Sequence, residues 1–232
     1  QAISPNIIKV IRQGSSIKST KIAPIYYSDI IAQFLSETSD EKIEFTANNI
    51  EYEFSSGKKG LYDFTFKEES GRLVGIMGGS GSGKSTLLNV LNGNYPPSSG
   101  EIKINGIGLY ESPKLLEGVI GFVPQDDLLI EELSVFENLY YNGKLCFGNY
   151  EDDKLVELVN EVLVSIGLFE AKDLKVGNPL SKTISGGQRK RLNIALELIR
   201  EPSILFVDEP TSGLSSNDSE IIMDLLKILA LK

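Results

Sequence analysis

Residues 72–91 read RLVGIMGGSGSGKSTLLNVL. An apolar run, a loop of glycine and serine, a lysine followed by two hydroxyl residues, and a helical apolar pattern stand in that order. The string from Gly78 to Ser85 matches G-x-x-x-x-G-K-[ST], set between an expected strand, RLVGIM, and an expected helix, STLLNVL. Glycine's freedom at positive φ lets the N–H groups of Gly78, Gly79, Ser80, Gly81, Ser82 and Gly83 curl into a concave anion nest. The nest lies at a helix start, where the macrodipole also favours negative charge. In such a loop Lys84 reaches the β- and γ-phosphates of a nucleoside triphosphate, while the Ser85 hydroxyl, beside Thr86, ligates Mg²⁺. A plain Gly/Ser turn would explain the glycines but neither Lys84 nor the helix behind it.

A second stretch, SILFVDEP at 203–210, is a continuous apolar strand pattern closed by two carboxylates. It predicts a central strand with Asp208 and Glu209 at its carboxyl end, the edge where ligands bind in open α/β sheets. Asp208 can then hold the Mg²⁺ shell and Glu209 can orient or deprotonate an attacking water. Alone, such a pair is usually a solvated turn; a phosphate loop in the same chain favours the ligand reading.

Working outward, short alternating apolar stretches from Ile43 to about residue 77 predict β-strands parted by Gly and Ser turns. A strand pair is expected around EIKING and another strand at GVIGFV. LSVFENLYYNGKL, with Ser134 as cap, and DKLVELVNEVLVSIGL, stopped at Gly167, predict helices, as do QRKRLNIALELIREP and NDSEIIMDLLKIL. Strands alternating with helices mean an α/β domain with a mostly parallel sheet. The first 42 residues read as a linker with a short docking helix starting at Ser28.

With 32 acidic and 23 basic residues the 232-residue chain carries a net charge of −9, which disfavours nucleic acid as a partner. There is no histidine, excluding histidine metal sites and the serine triad. The single cysteine, Cys146, reads as a small buried hydrophobe. No apolar run approaches the roughly 20 residues that span a bilayer, so any membrane role is expected to run through a partner or a segment outside these residues.

A third stretch, LSKTISGGQRKRLNIAL at 180–196, stands between the first two. Ser185, Gly186 and Gly187 open a helix and present a hydroxyl and unhindered N–H groups at its positive end. Alone this is an ordinary cap. The order phosphate loop, SGGQ, VDE strand, however, closely resembles the ATP-binding cassette (ABC) ATPases from about residue 43 to the C-terminus. The resemblance implies a P-loop NTPase fold of the ABC-ATPase type: a mostly parallel sheet core, an antiparallel β subdomain and a helical subdomain at about 126–187, all within 43–232. It implies ATP and Mg²⁺ as cofactors and a second cassette packed head to tail, so that Ser185, Gly186, Gly187 and Gln188 of one copy face the ATP held by the other. It also makes Gln125 the residue whose amide bridges Mg²⁺ or the attacking water, and Phe54 an aromatic that stacks on adenine. Since Ile50, Tyr52 and Phe54 alternate along one strand face, a plain core role for Phe54 stays equally open. Arg189, Lys190 and Arg191 are expected on the surface, against an acidic partner.

Two departures stand out. Ser215 takes the place of the family's aspartate in the loop that crosses to the opposite cassette, and the family's switch histidine would lie past Lys232. The reading is therefore of a fragment that binds Mg-ATP and hydrolyses it slowly. TISGGQRKRLNIALELIREPSILFVDEPTSGL is most similar to the white-type (G subfamily) transporters, which implies an ATPase that powers a transmembrane domain from the cytoplasmic face of the membrane. The alternatives are a soluble ABC ATPase on ribosomes or DNA, disfavoured by acidity and by the lack of heptads, and an ATP-sensing module, which Ser215 keeps open.

Overall fold

Asn48 and Asn49 interrupt the alternation of the first long strand and set the geometry of the β subdomain. In β3 (Glu44–Glu53) Phe45 and Ala47 point inward; the register then shifts, Asn49 takes φ +50°, and the inward position moves to Ile50. Such a bulge adds one residue to one strand and bends it. β4 (Lys59–Glu69) returns antiparallel to β3, and β5 (Ser99–Ile104) and the two-residue β6 (Ile107–Gly108) complete a four-stranded antiparallel sheet in the order β4-β3-β5-β6.

We describe residues 16–17, 25–26, 42–148, 150–178 and 183–231 from a computed structural model of the chain. The chain divides into two units, Gln1–Lys42 and Ile43–Lys232. In the first, β1 (Ser16–Ile17) and β2 (Ile25–Tyr26) form an antiparallel pair; the helix expected from Ser28 lies outside the described residues.

In the second unit, α1 (Lys84–Leu91) packs Val90 and Leu91 against Phe45, Ala47, Ile50, Ile102 and Ile104 of the β subdomain. β7 (Ile120–Val123) and β8 (Ile204–Val207) pair in parallel, and their register continues as the Asp208 N–H donates to the Val123 carbonyl at 2.9 Å. The helical layer consists of α2 (Val135–Cys146), α3 (Asp152–Ser165), α4 (Gly186–Leu198) and α5 (Ser216–Ala230). Leu155, Val159 and Leu163, four residues apart along α3, meet Val135 and Leu139 of α2, Leu192 and Ala195 of α4 and Ile199 just past its end in one buried cluster. Each such side chain contributes about 1.5–3 kcal/mol on burial. A smaller cluster of Val123, Ile194, Ile222 and Leu226 joins β7 to α4 and α5.

Three expectations need correction. RLVGIM runs without strand structure, with Leu73, Val74 and Ile76 partly exposed and Met77 at 93% exposure, because a strand exists only through a ladder and none of the described residues pairs with it. For the same reason β8 is not a central strand: among the described residues it pairs with β7 alone, and all four of its residues are only partly buried. Among the described residues the parallel pairing is that of β7 with β8. Cys146 is half-buried instead of sealed, its sulfur accepting from Arg200 Nε at 3.0 Å.

Candidate functional site

The phosphate loop is an open turn leading straight into α1. Gly81 and Gly83 have φ of +76° and +93°, and Gly83 is the residue preceding the helix. This left-handed conformation is the one the anion-nest reading requires of glycine. Lys84 Nζ curls back and donates to the carbonyls of Gly78 at 2.9 Å and Gly79 at 3.0 Å. Its ammonium is therefore held over the mouth of the loop. Ser80, Ser82 and Ser85 are exposed, with Thr86 partly buried behind them.

Phe54 stands just past the end of β3 and is 36% exposed. Its ring meets Tyr52 edge-on at 5.1 Å, and Tyr52 stacks on Tyr95 at 5.7 Å. A Cβ on Gly60 would come within 2.7 Å of the Phe54 ring, while a Cβ on Gly83 would lie 3.6 Å from the Gly60 carbonyl. Gly60 thus brings an aromatic face beside the start of α1. Of the three alternating residues only Ile50 is fully buried, so Phe54 does not behave as a core residue.

Asp208 and Glu209 emerge at the end of β8 as expected, with different surroundings. Asp208 is 7% exposed; Glu209 is exposed and has φ +44°. A non-glycine residue there costs on the order of 1–3 kcal/mol, which the fold bears while it turns the carboxylate out of the strand direction. Gln125, two residues past β7, is also exposed.

The start of α4 is a complete capping box: Ser185 Oγ accepts from the Gln188 N–H at 3.1 Å and Gln188 Oε1 accepts from the Ser185 N–H at 2.7 Å. The first N–H groups of a helix have no intrahelical acceptor; Gly186 is exposed there, while Gly187 is buried. Gly187 is forced by packing, since a Cβ there would stand 2.3 Å from Asp218 Oδ1. Ser215 caps α5, its Oγ accepting from the Asp218 N–H at 3.1 Å and donating to Asp218 Oδ2 at 2.8 Å. The substitution noted at Ser215 therefore keeps a helix cap, and a carboxylate stands three residues on.

The basic run is not on the surface. Arg189 and Lys190 are each 8% exposed. Arg189 grips the Asp127 carboxylate through Nε at 2.9 Å and Nη2 at 3.1 Å, and donates to the Val176 and Gly177 carbonyls. Lys190 Nζ contacts three carbonyls, of Pro124 at 3.2 Å, Gln125 at 3.3 Å and Asp208 at 3.5 Å. Burial pushes its ammonium below the usual lysine range, against the opposing pull of Asp208, Asp127, Asp126 and Glu209. Arg191 donates to the Ile166 and Gly167 carbonyls at the end of α3. The surface expectation failed because α4 is buried on most sides, with Leu192, Ile194 and Ala195 sealed as well, and cations in such a helix must be paired. The signal lay in the pattern itself: Arg189, Lys190 and Asn193 share one face at helical spacing.

Mg²⁺ keeps several waters and takes one or two carboxylates plus substrate phosphates. The described residues hold no cluster of three metal-binding side chains. A hydroxyl (Ser85), one carboxylate (Asp208) and one amide (Gln125) suit an ion completed by a triphosphate. Among the described residues no helix is long and apolar enough to cross a membrane.

Residues 61–212 match the family model described as ABC transporter. The chain is 38% identical over 193 residues to the ABC-type transporter claG of Penicillium crustosum, covering 79% of this chain and 26% of that protein. It is 41% identical over 171 residues to ABC transporter G family member 28 of Arabidopsis thaliana, covering 72% of this chain and 15% of that one. It thus spans about a quarter or less of the length of these relatives. The structure of cbiO1 from Clostridium perfringens, part of the ABC transporter complex cbiONQ, superposes with a TM-score of 0.72 at 30% identity, covering 82% of this chain and 74% of that one. Glycine loop, capped SGGQ helix and carboxylate-ended strand share one P-loop α/β framework, and the chain belongs to the ABC transporter family as a nucleotide-binding domain of the G-subfamily type.

Proposed function

We propose that this domain binds and hydrolyses Mg-ATP to drive a membrane transporter from the cytoplasmic face, with a second ABC cassette completing the site. The observation that carries the reading is the loop itself: two left-handed glycines leading into α1, with Lys84 Nζ poised over the Gly78 and Gly79 carbonyls. Residues 78–86 would cradle the phosphates through backbone N–H groups, and Lys84 would exchange loop carbonyls for β- and γ-phosphate oxygens. Phe54 would stack on the adenine. Ser85, Asp208 and Gln125 would hold Mg²⁺, which supplies charge neutralisation at the phosphates. Glu209 would orient or deprotonate the attacking water. The Gly186 and Gly187 N–H groups of the partner cassette would meet the γ-phosphate, so that nucleotide joins the two copies and hydrolysis frees them. Residues 1–42 would form a linker and docking segment, and about 126–187 the helical subdomain facing the membrane partner.

The test is Glu209→Gln in Mg-ATP. Retained nucleotide and a doubled sedimentation mass are expected, with Ser185→Arg in the same background blocking the doubling. Lys84→Ala should lose most nucleotide affinity. A monomer that retains no nucleotide in the Glu209→Gln protein would refute the sandwich.

A further inference from the structure

Four side chains tie the segment after β7 to α4. Lys190 Nζ holds the Pro124 and Gln125 carbonyls, Arg189 holds the Asp127 carboxylate through two nitrogens, and Asn193 Oδ1 accepts from the Leu128 N–H at 3.3 Å. Gln125, Asp126, Asp127 and Leu128 are themselves exposed, so packing does not hold them. Their position is set by these bonds. The same Lys190 ammonium reaches the Asp208 carbonyl across the parallel pair, where the chain enters the strained turn at Glu209. Two residues before Lys190 is Gln188, half of the capping box that fixes Ser185. One turn of α4 therefore connects three parts of the candidate site: the SGGQ cap, the Gln125 segment and the end of β8.

We propose that Lys190, seconded by Arg189 and Asp127, is a positioning residue that locks the Gln125 segment to the Asp208–Glu209 turn, setting ATP turnover and not ATP affinity. This rests on the reading of Gln125, Asp208 and Glu209 given above. None of the four tying residues belongs to the loop that would grip the phosphates. Breaking the tie leaves residues 78–86 intact while letting Gln125 drift from Asp208 and Glu209.

The experiment compares Lys190→Met, Lys190→Arg and Asp127→Asn in the whole protein. Lys190→Met keeps the aliphatic stem and removes the donors; Asp127→Asn keeps the side chain's shape and one acceptor oxygen opposite Arg189 and removes the charge. A misplacement of about 1 Å at a reacting centre costs up to about 100-fold. Lys190→Met is therefore expected to lower kcat about 10- to 100-fold with the Mg-ATP Kd changed less than about threefold, and Asp127→Asn to act in the same direction by a smaller factor. Lys190→Arg, which restores donors and charge, should recover most of the turnover. Hydrogen exchange provides a readout independent of activity: amides 125–128 should exchange about tenfold faster in Lys190→Met, with peptides of α1 unchanged. Unchanged exchange at 125–128 overturns the proposal, as does a proportional loss of affinity and turnover. If the parent protein hydrolysed no ATP, the hydrolysis reading would fall and the exchange comparison would still decide whether Lys190 holds the segment.

Discussion

Gly187→Ala tests whether the SGGQ glycines are required by the protein's own packing as well as by any nucleotide. A methyl at this position would stand 2.3 Å from Asp218 Oδ1, 2.6 Å from Cγ and 2.9 Å from Cβ. Turning the Asp218 carboxylate away relieves the first two contacts and breaks its 2.8 Å bond to Ser215 Oγ, but the third persists unless the first turn of α5 moves. Overpacking of this kind costs about 1–3 kcal/mol and a weakened cap about 1 kcal/mol, offset by up to about 1 kcal/mol for alanine over glycine in a helix. The net is a loss of about 2 kcal/mol, which in a domain of this size lowers Tm by about 4–8 °C. Thermal and urea melts of Gly187→Ala, Asp218→Ala and the double variant measure it. The double variant should recover about 0.5–1 kcal/mol relative to the sum of the singles, since the two residues are in direct contact. If Gly187→Ala melts at or above the parent temperature, as alanine at a free helix end would, the packing account is refuted.

Tyr110 offers a pH test: its hydroxyl donates at the Tyr95 carbonyl (2.6 Å), with the Val90 carbonyl at 3.0 Å, and burial pushes its phenol up to about 12 from 10.0. Because the native state keeps a proton that the unfolded chain releases first, the contribution is complete below about pH 10 and lost as pH rises toward about 12. The parent urea midpoint should fall more steeply over that range than that of Tyr110→Phe; parallel curves would contradict the assignment. At α2, Ser134 and Glu137 form a reciprocal capping box. Ser134→Ala should cost about 1 kcal/mol in urea unfolding and Ser134→Asp much less; equal losses would show that the hydroxyl's cap bond carries none of the effect.

The helices were legible because their signals are local. Ser134, Gly167 and Ser185 sit at the ends where sequence puts them, and the Leu155, Val159, Leu163 spacing announces one buried face. The turn glycines of the phosphate loop and the carboxylates after β8 could likewise be read directly, because conformational freedom at positive φ and the end of an apolar run are properties of a few adjacent residues. RLVGIM was misread for the opposite reason: apolar alternation states a capacity to pair, and whether a ladder forms depends on a neighbour distant in sequence.

By itself, then, the sequence determined the helices from residue 84 onward, the glycine loop with Lys84, the Ser185 cap and the placement of Asp208 and Glu209 at a strand end. Only the tertiary structure decided that Arg189 and Lys190 face inward, that the Asn49 bulge shifts the inward face to Ile50, and that Gly187 makes room for Asp218. A run of three cations reads as a solvated surface until the helix beneath it is found enclosed on most sides. Charge in such a place is stable only where acceptors from remote segments meet it, and Pro124, Gln125, Asp127 and Asp208 are brought to α4 by the packing of β7 and β8 and not by their position along the chain.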